Sequence, residues 1–326
     1  LTSFTINMGP APTWLTFGVI GGFAVGCTYN SAIPCIQKWF PDKINVCSGI
    51  IVCCFGLATV VFTPVAQMLI DAYGIHTTFQ ILGVVFAVVC LLASVFIKNP
   101  DAGWLPEGYV PATSKSNIAQ VQVPFSKAIK TRQLWIIMLT LWFITAGYFC
   151  INPILRQLGI ERGLDEGLAN GIVMACGLGL AVGRFAVPFF VNLLRGRRNT
   201  ALTLAILVCI VSIALIFAQG VAFMVLVFLL AAFAGAPGAT YSPWTAENFG
   251  LENQGANYGF VMIGTGLSSL ISFRLCNQVI APMFGGLGAS GVAVNTALYF
   301  VVSLVFAVVS VLLLLAFKTY KENKAE

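Results

Sequence analysis

The feature that most constrains this chain is its series of long apolar runs, which are separated by short polar breaks. Hydrophobic residues make up 59% of the chain and charged residues only 9%, whereas a soluble domain needs far more charge to cover its surface. An apolar run of about 20 residues spans the hydrocarbon core of a bilayer as a helix. The sequence therefore predicts an all-α polytopic membrane protein.

Nine such runs are long enough to cross a bilayer. The predicted spans are 12–36, 46–71, 75–98, 133–157, 167–194, 198–218, 221–246, 255–281 and 291–317. The longest break between them, 99–132, is polar, carries prolines and becomes basic towards its end. We interpret this break as a linker between two helical bundles.

The basic residues outside the spans are distributed unevenly. The breaks after spans one, three, five and seven and the tail after span nine hold nearly all of them, whereas the opposite side holds only Arg156 and Arg162. Because lysine and arginine accumulate in cytoplasmic loops, we expect a protein of the cytoplasmic membrane whose linker and C-terminus are cytoplasmic. The net charge of +6 then reflects topology and does not indicate a nucleic-acid partner.

A weak internal repeat relates two parts of the chain at an offset of 210 positions. The coincident pairs are Phe23-Ala24 with Phe233-Ala234, Gly49 with Gly259, and Gly56-Leu57 with Gly266-Leu267. Transporters built from paired halves leave such symmetry. We therefore expect a fragment with nine of twelve helices: 1–98 as helices four to six of a first bundle, 99–132 as a cytoplasmic linker, and 133–326 as a second six-helix bundle with a short cytoplasmic tail.

Three motifs carry a resemblance to a known family. The segment "YNSAIPCIQKWFPDKINVCSG" at 29–49 resembles the fourth-to-fifth helix junction of the oxalate/formate antiporter family, which belongs to the major facilitator superfamily. The segment "VGRFAVPFF", followed by "LLRGRRN", resembles that family's eighth helix and the loop after it, and "ENFGLENQGANYGF" resembles its tenth-to-eleventh helix junction. The resemblance implies a major facilitator fold and a transport function.

The chain departs from this family's pattern at the positions that hold oxalate. The resemblance implies a lysine in the eleventh helix, where this chain has Thr265. It also implies large aromatic residues close to Ala234, Gly238 and Met262. We therefore expect a more open site with one fewer positive charge and a substrate other than oxalate.

Arg184 lies deep in the fifth predicted span, within "GLGLAVGRFAVPFF". An arginine stays ionised in essentially any environment, and at this depth it must face a cavity or a partner. No acidic residue lies within any predicted span away from its ends. We interpret Arg184 as a site for an anionic substrate; the alternatives are a partner carboxylate outside the chain, snorkelling to the membrane surface, or a purely structural role.

Other candidate residues are polar or unusual positions within the spans. The predicted substrate-binding set comprises Arg184, Thr265, Tyr29, Asn30, Asn152, Tyr241 and Met262. Hydrogen bonding between helices explains the tyrosines and asparagines equally well. Arg274 lies about 27 Å along its helix from Ala256, at 1.5 Å per residue, and we interpret it as a gating or external-end charge.

The predicted function is secondary active transport of a small organic anion, a carboxylate, by alternating access. Exchange is favoured because no carboxylate or histidine inside the spans is available to carry a coupled proton. The alternative is an exporter of drugs or lipophilic solutes in which Arg184 is structural. We expect no enzymatic activity, no cofactor and no metal, because no nucleophile–base pair or ligand cluster stands out. The expected partners are the anion and the lipid bilayer, and the expected state is a monomer.

Overall fold

The computed structural model describes residues 1–101, 104, 122–288 and 290–317, and no strand is found within these ranges. Eight helices in them are long and apolar enough to cross a membrane. They are α1 (Pro10–Trp39), α2 (Ile44–Phe96), α3 (Arg132–Glu161), α4 (Glu166–Phe190), α5 (Arg197–Phe217), α6 (Gly220–Phe249), α7 (Gln254–Met283) and α8 (Ala297–Leu315). Shorter helices occupy Thr2–Thr5, Ile6–Met8 and Phe125–Ala128. The predicted all-α polytopic class is confirmed.

Helix α2 covers the second and third predicted spans and accounts for the difference between nine predicted spans and eight long helices. It contains 53 residues, which at 1.5 Å per residue is about 80 Å, more than twice the hydrocarbon thickness of a bilayer. The backbone leaves helical geometry at Gly74, where φ is 74° and ψ is 164°. A positive φ is accessible to glycine at little cost, so the kink falls in the predicted break between the two spans.

Besides α2, four of the long helices are interrupted by non-α turns or breaks. Their segments are Pro10–Thr13, a π-helical Trp14–Ile20 and Gly21–Trp39 in α1; Arg132–Ile151, a 3₁₀ turn Asn152–Ile154 and Leu155–Glu161 in α3; Gly220–Gly235 and Pro237–Phe249 in α6; and Gln254–Arg274, a π-helical Leu275–Ile280 and Ala281–Met283 in α7. Pro153 and Pro237 lie at two of these interruptions. Proline has no N–H to donate, so it removes one bond of the helical ladder.

Small residues bring the helix backbones into close contact. A Cβ atom at Gly56 of α2 would lie 2.6 Å from the backbone nitrogen of Ala181 in α4, and one at Gly183 of α4 would collide with the Ala232 carbonyl oxygen in α6. Because hydrophobicity does not drive helices together within lipid, such close packing is the usual source of their association. Helix α4 is thus held between α2 and α6.

Arg162 fixes the loop between α3 and α4 to the end of α5. Its Nη1 donates to the carbonyl oxygens of Ile216 at 3.1 Å and Ala218 at 3.0 Å, and its guanidinium lies over the rings of Phe223 and Phe300. The bonds satisfy carbonyls that a helix end leaves without partners. Burial lowers the pKa of Arg162, but an arginine remains protonated. Arg162 therefore acts as a cationic cap.

The C-terminal end of the predicted linker docks onto the junction of α6 and α7. The backbone nitrogen of Val123 donates to the Phe249 carbonyl at 2.9 Å, and Nδ2 of Asn257 donates to the Val123 carbonyl at 3.1 Å. Positions 102–103 and 105–121 of the predicted linker, and the predicted tail 318–326, lie outside the described residues. This docking therefore applies to residues 122–132, the C-terminal part of the predicted linker.

Candidate functional site

A cavity of about 470 Å³ lies where α1, α2, α3, α4, α6 and α7 meet. Five of the residues predicted from the sequence line it: Arg184, Thr265, Tyr29, Asn30 and Met262. Apolar side chains from α2, α3 and α4 form much of the remaining wall, among them Phe55, Phe149 and Leu180. The cavity thus combines one guanidinium, several hydroxyl groups, one side-chain amide and an apolar lining.

Arg184 extends from α4 between α2 and α6. Its Nε donates to the Gly235 carbonyl at 3.3 Å and its Nη1 to the Val52 carbonyl at 3.4 Å. Among the described residues the one ion pair joins Arg197 to Glu247, and Arg184 has no carboxylate within ion-pair distance. A guanidinium has five N–H donors. Two long bonds to carbonyls leave it with donors available to an anion.

The break in α6 explains why a carbonyl is available to Arg184. In an uninterrupted helix the Gly235 carbonyl accepts from the nitrogen of Ala239, four residues later. Here the Ala239 nitrogen donates to the Ala236 carbonyl at 3.0 Å instead, at the start of the Pro237–Phe249 segment. The Gly235 carbonyl therefore accepts from Nε of Arg184 and holds this side chain at the cavity wall.

Two tyrosine hydroxyls lie close together near Arg184, and Tyr29, which carries one of them, lines the cavity. The hydroxyls of Tyr29 and Tyr258 are 3.5 Å apart, and the Tyr258 hydroxyl donates to the Gly238 carbonyl at 3.3 Å. A Cβ atom at Gly238 would lie 3.6 Å from Nε of Arg184 and 4.0 Å from the Tyr29 hydroxyl. The guanidinium and the Tyr29 hydroxyl therefore converge over Gly238, as two donors to one ligand would.

The remaining predicted residues do not line this cavity. Tyr241 is fully buried against the ring of Trp244, at a centroid distance of 5.3 Å. Asn152 is exposed in the 3₁₀ turn of α3, where its Oδ1 accepts from the Tyr148 hydroxyl at 3.0 Å. Arg274 is exposed at the end of the Gln254–Arg274 segment. Burial of Tyr241 and the turn at Asn152 depend on packing and helix interruptions that a span prediction does not resolve.

Sequence reasoning missed Tyr148 and Tyr258. Tyr148 lines the cavity and its hydroxyl reaches Asn152. Tyr258 is fully buried and supports Tyr29. Tyr258 belongs to the "NYG" motif that carries part of the family resemblance. The motif was a usable signal for Tyr258, whereas Tyr148 has no comparable signal in the sequence.

The described residues hold no cluster of histidine, cysteine, aspartate or glutamate that could bind a metal ion. All ten cysteines lie within the described part of the chain and are free thiols. His76, the one histidine of the chain, lies with its Nε2 3.1 Å from the Ser3 hydroxyl and does not line the cavity. The chemistry of the cavity therefore rests on Arg184 and neutral polar groups.

Comparison with known families and solved structures shows which fold the chain shares with other proteins. The profile of the family described as Major Facilitator Superfamily matches residues 1–273. A crystal structure of the transporter FucP in the outward conformation has a TM-score of 0.63 with this chain, at 16% sequence identity, and covers 95% of this chain and 78% of its own. At that identity the likeness concerns the fold alone, and it confirms the expected major facilitator fold.

Two curated relatives match most of the chain. One is the uncharacterized MFS-type transporter YhjX of Escherichia coli (strain K12), 24% identical over 267 residues, which are 79% of this chain and 63% of the relative. The other is the oxalate:formate antiporter of Oxalobacter formigenes, 23% identical over 291 residues, 84% of this chain and 64% of the relative. A shorter match, 30% identical over 134 residues, is to monocarboxylate transporter 12 of Homo sapiens and covers 40% of this chain and 25% of the relative. The chain spans less than two thirds of the length of the first two relatives.

Proposed function

Because this chain belongs to the Major Facilitator Superfamily, we propose that it is part of a secondary transporter that moves a small organic anion, a carboxylate, by alternating access. The observation that carries the substrate class is the position of Arg184. Its charge lies in a cavity wall within a membrane helix, and its hydrogen bonds go to two backbone carbonyls. A charge at such depth is usually functional, and a guanidinium suits a carboxylate because it offers two parallel donors.

We propose that the substrate carries one charge, or is larger than oxalate. Arg184 is the cation among the described residues that line the cavity, and Thr265 stands where the resembled family has a lysine. Gly238 and Met262 leave space where large aromatic residues are expected. Apolar walls such as Phe55 and Phe149 suit a hydrocarbon tail. Relatives named as an oxalate:formate antiporter and a monocarboxylate transporter support the carboxylate class.

The proposed binding groups take different parts of the substrate. Arg184 and Tyr29 hold the carboxylate over Gly238, and Asn30 and Thr265 contact its other polar atoms. Met262 faces the tail. Asn152 acts through Tyr148, and Tyr241 supports α6 from within the core. Arg274 remains proposed as an external-end charge, consistent with its exposed position at the end of a helical segment.

Exchange is the proposed mode of transport. Among the described residues that line the cavity there is no carboxylate and no histidine. Proton-coupled carriers commonly use such groups inside the membrane. A carrier without them completes its cycle most simply when a second anion returns through the same site.

The proposed domains are the two groups of helices that the cavity separates. Residues 1–98 supply α1 and α2, and residues 133–326 supply most of α3 and all of α4 to α8. Alternating access requires one group to rock against the other around a fixed site, and Arg184 and Tyr29 lie on opposite sides of that boundary. We also propose a location in the cytoplasmic membrane with the 99–132 linker and the C-terminus cytoplasmic.

The test is exchange in proteoliposomes that contain the full-length carrier. Uptake of labelled carboxylates, from formate to hexanoate and including oxalate, is measured against each unlabelled anion inside. We expect Arg184→Gln to lower uptake of the best monocarboxylate by about 100-fold, because a buried charged hydrogen-bond pair is lost.

Arg198→Gln is the matched control. Its guanidinium also bonds backbone carbonyls, those of Leu314 at 3.0 Å and Leu315 at 3.1 Å, but it does not line the cavity. We expect uptake close to wild type. Carboxylate uptake that survives Arg184→Gln, or transport of lipophilic solutes alone, contradicts the proposal and favours a structural Arg184.

A further inference from the structure

A second cavity, of about 290 Å³, lies between α4, α5 and α6 and shares no lining residue with the cavity around Arg184. Its lining residues are apolar except for Thr200 and Thr203. Two of the lining side chains, Val182 and Phe190, are 44% and 51% exposed, so the cavity opens to the surface of the bundle. We name it the α4–α6 groove. Because these helices are membrane spans, the groove opens to lipid.

Small residues give the groove its depth. Gly183, Ala186 and Ala232 line it, and Gly183 and Ala232 are buried. A Cβ atom at Gly183 would collide with the Ala232 carbonyl oxygen, so α4 and α6 touch at the floor of the groove. An apolar groove forfeits dispersion contacts unless apolar atoms fill it. A flexible hydrocarbon chain supplies those atoms.

The length and position of the groove match one leaflet of a bilayer. Along α4 the groove runs from Val182 to Phe190, which is about 12 Å at 1.5 Å per residue. Half of the hydrocarbon core is about 15 Å thick. Helix α4 ends at Phe190, and Leu194 in the α4–α5 turn (191–196) also lines the groove. An acyl chain in the groove therefore has its headgroup at this turn.

The α4–α5 turn and the start of α5 form a basic segment with three arginines, and no acidic residue occurs between Glu166 and Glu247 in the sequence. Two of the three arginines are engaged by the protein. Arg197 pairs with Glu247, and Arg198 donates to two backbone carbonyls of α8. The third, Arg195, is adjacent to Leu194 at the end of the groove.

Arg195 is exposed, and its guanidinium has no hydrogen bond or ion pair within the part of the chain that the structure describes. Its φ is 59°. The Arg195 nitrogen donates to the Asn192 carbonyl at 3.2 Å and the Gly196 nitrogen to the Val191 carbonyl at 3.0 Å. This is the Schellman pattern, whose left-handed position glycine usually occupies. Backbone strain beneath a cation without a protein partner points to an anionic ligand.

We propose that the α4–α6 groove binds an anionic phospholipid, with one acyl chain in the groove and the headgroup phosphate at Arg195. A phosphate accepts charge-assisted hydrogen bonds from a guanidinium, and anionic lipids are attracted to basic segments at the membrane surface. A zwitterionic lipid fills the groove but has no net charge for Arg195. The proposal requires only that the chain spans a membrane, and it does not depend on the transported substrate.

The test is native mass spectrometry of the full-length carrier in detergent, titrated with phosphatidylglycerol or with phosphatidylcholine of the same acyl chains. We expect the first phosphatidylglycerol to bind about fivefold more tightly, the factor that one basic residue near a membrane surface contributes. Arg195→Gln should abolish this preference, and Arg195→Lys should keep it because the charge is retained. Both variants keep a side chain at the left-handed position, so the backbone strain is unchanged.

Arg132→Gln is the matched control. Arg132 is also exposed and has no hydrogen bond or ion pair among the described residues, but it begins α3 and does not line the groove. The preference for phosphatidylglycerol should remain in this variant. A preference that survives Arg195→Gln, or one that Arg132→Gln lowers equally, overturns the headgroup contact.

Ala186→Leu tests the acyl chain, because the larger side chain occupies the groove. We expect it to weaken binding of both lipids roughly 10-fold, the loss of about two buried methylene groups. Unchanged binding of both lipids overturns the groove as the acyl site. Glycerol phosphate, the headgroup without chains, should not bind; if it binds as tightly as the lipid, the site belongs to a soluble anion. Arg195→Gln lies on an exposed turn and keeps the test decisive if Ala186→Leu does not fold.

Discussion

At the scale of single residues, the site is organised around Arg184. The guanidinium is fixed by carbonyls from two different helices, those of Val52 in α2 and Gly235 in α6. A carbonyl carries only a partial charge, so it orients the arginine without neutralising it. This arrangement leaves a full positive charge facing the cavity, where a carboxylate can form charge-assisted bonds.

Gly238 keeps the space between Arg184 and Tyr29 open. A Cβ atom there would lie 3.2 Å from Cγ1 of Val52, which is 1% exposed and has little room to move. We expect Gly238→Ala to raise the KM of the best-transported carboxylate roughly 3- to 10-fold, because the methyl group intrudes on the carboxylate position. Initial rates of exchange in proteoliposomes measure this effect.

Gly266→Ala is the control for Gly238→Ala. Gly266 also lines the cavity, but a Cβ atom there meets no other atom within 4 Å. We expect its KM to stay within about twofold of the wild-type value. Equal KM values for the two variants would show that the carboxylate does not lie over Gly238.

At the scale of helices, interruptions free backbone groups that a regular helix would use in its own hydrogen bonds. The break in α6 releases the Gly235 carbonyl to Arg184, because Ala239 donates to Ala236 instead. The kink at Gly74 lets 53 residues of α2 contain two predicted spans. Both features occur at glycine- or proline-bearing positions, where the helical ladder is weakest.

The contact between α4 and α6 depends on Gly183. A Cβ atom there collides with the Ala232 carbonyl, whereas one at Gly171, on the same helix, meets no other atom within 4 Å. We expect Gly183→Ala to lower the melting temperature of the purified carrier by about 5 °C or more, because the helices must move apart. Thermal unfolding in detergent, followed by tryptophan fluorescence, measures the effect.

Gly171→Ala should leave the melting temperature unchanged or raise it slightly, since alanine favours a helix over glycine. Shifts that agree within about 1 °C for the two variants would contradict the assignment of close packing to Gly183. The comparison separates packing from helix propensity, because both substitutions add the same methyl group to the same helix.

At the scale of the whole molecule, the cavity lies at a boundary between two groups of helices, and polar contacts join these groups on one side. The α1–α2 turn and the α4–α5 turn lie together at that end, as the Asn45–Arg197 bond at 3.1 Å shows. Both turns carry basic residues. This placement agrees with the proposal that they share the cytoplasmic side.

The orientation is testable with reporters at the C-terminus of the full-length carrier. Because basic loops are retained in the cytoplasm, we expect a C-terminal green fluorescent protein fusion in a bacterial inner membrane to fluoresce. The corresponding alkaline phosphatase fusion should be inactive. An active phosphatase with a dark fluorescent fusion would place the C-terminus outside and reverse the proposed topology.

Much of the element pattern follows from the sequence. Apolar runs of bilayer length define α1 to α8, because each helix satisfies its own backbone and lipid accepts an apolar surface. The span prediction also located the break at Gly74. It did not predict the π and 3₁₀ turns in α1, α3 and α7, because these turns depend on how neighbouring helices pack against each segment.

The sequence by itself determined that a lone arginine, without an acidic residue in its own span, must face something other than lipid, because the cost of an ionised group in hydrocarbon is large. Only the tertiary structure decided which groups share its cavity. It placed Tyr29 and Thr265 there, buried Tyr241 elsewhere and joined Gln37 to Ser242. The reason is physical: hydropathy reports the distance of a residue from the membrane surface, whereas its neighbours depend on how helices far apart in sequence pack together.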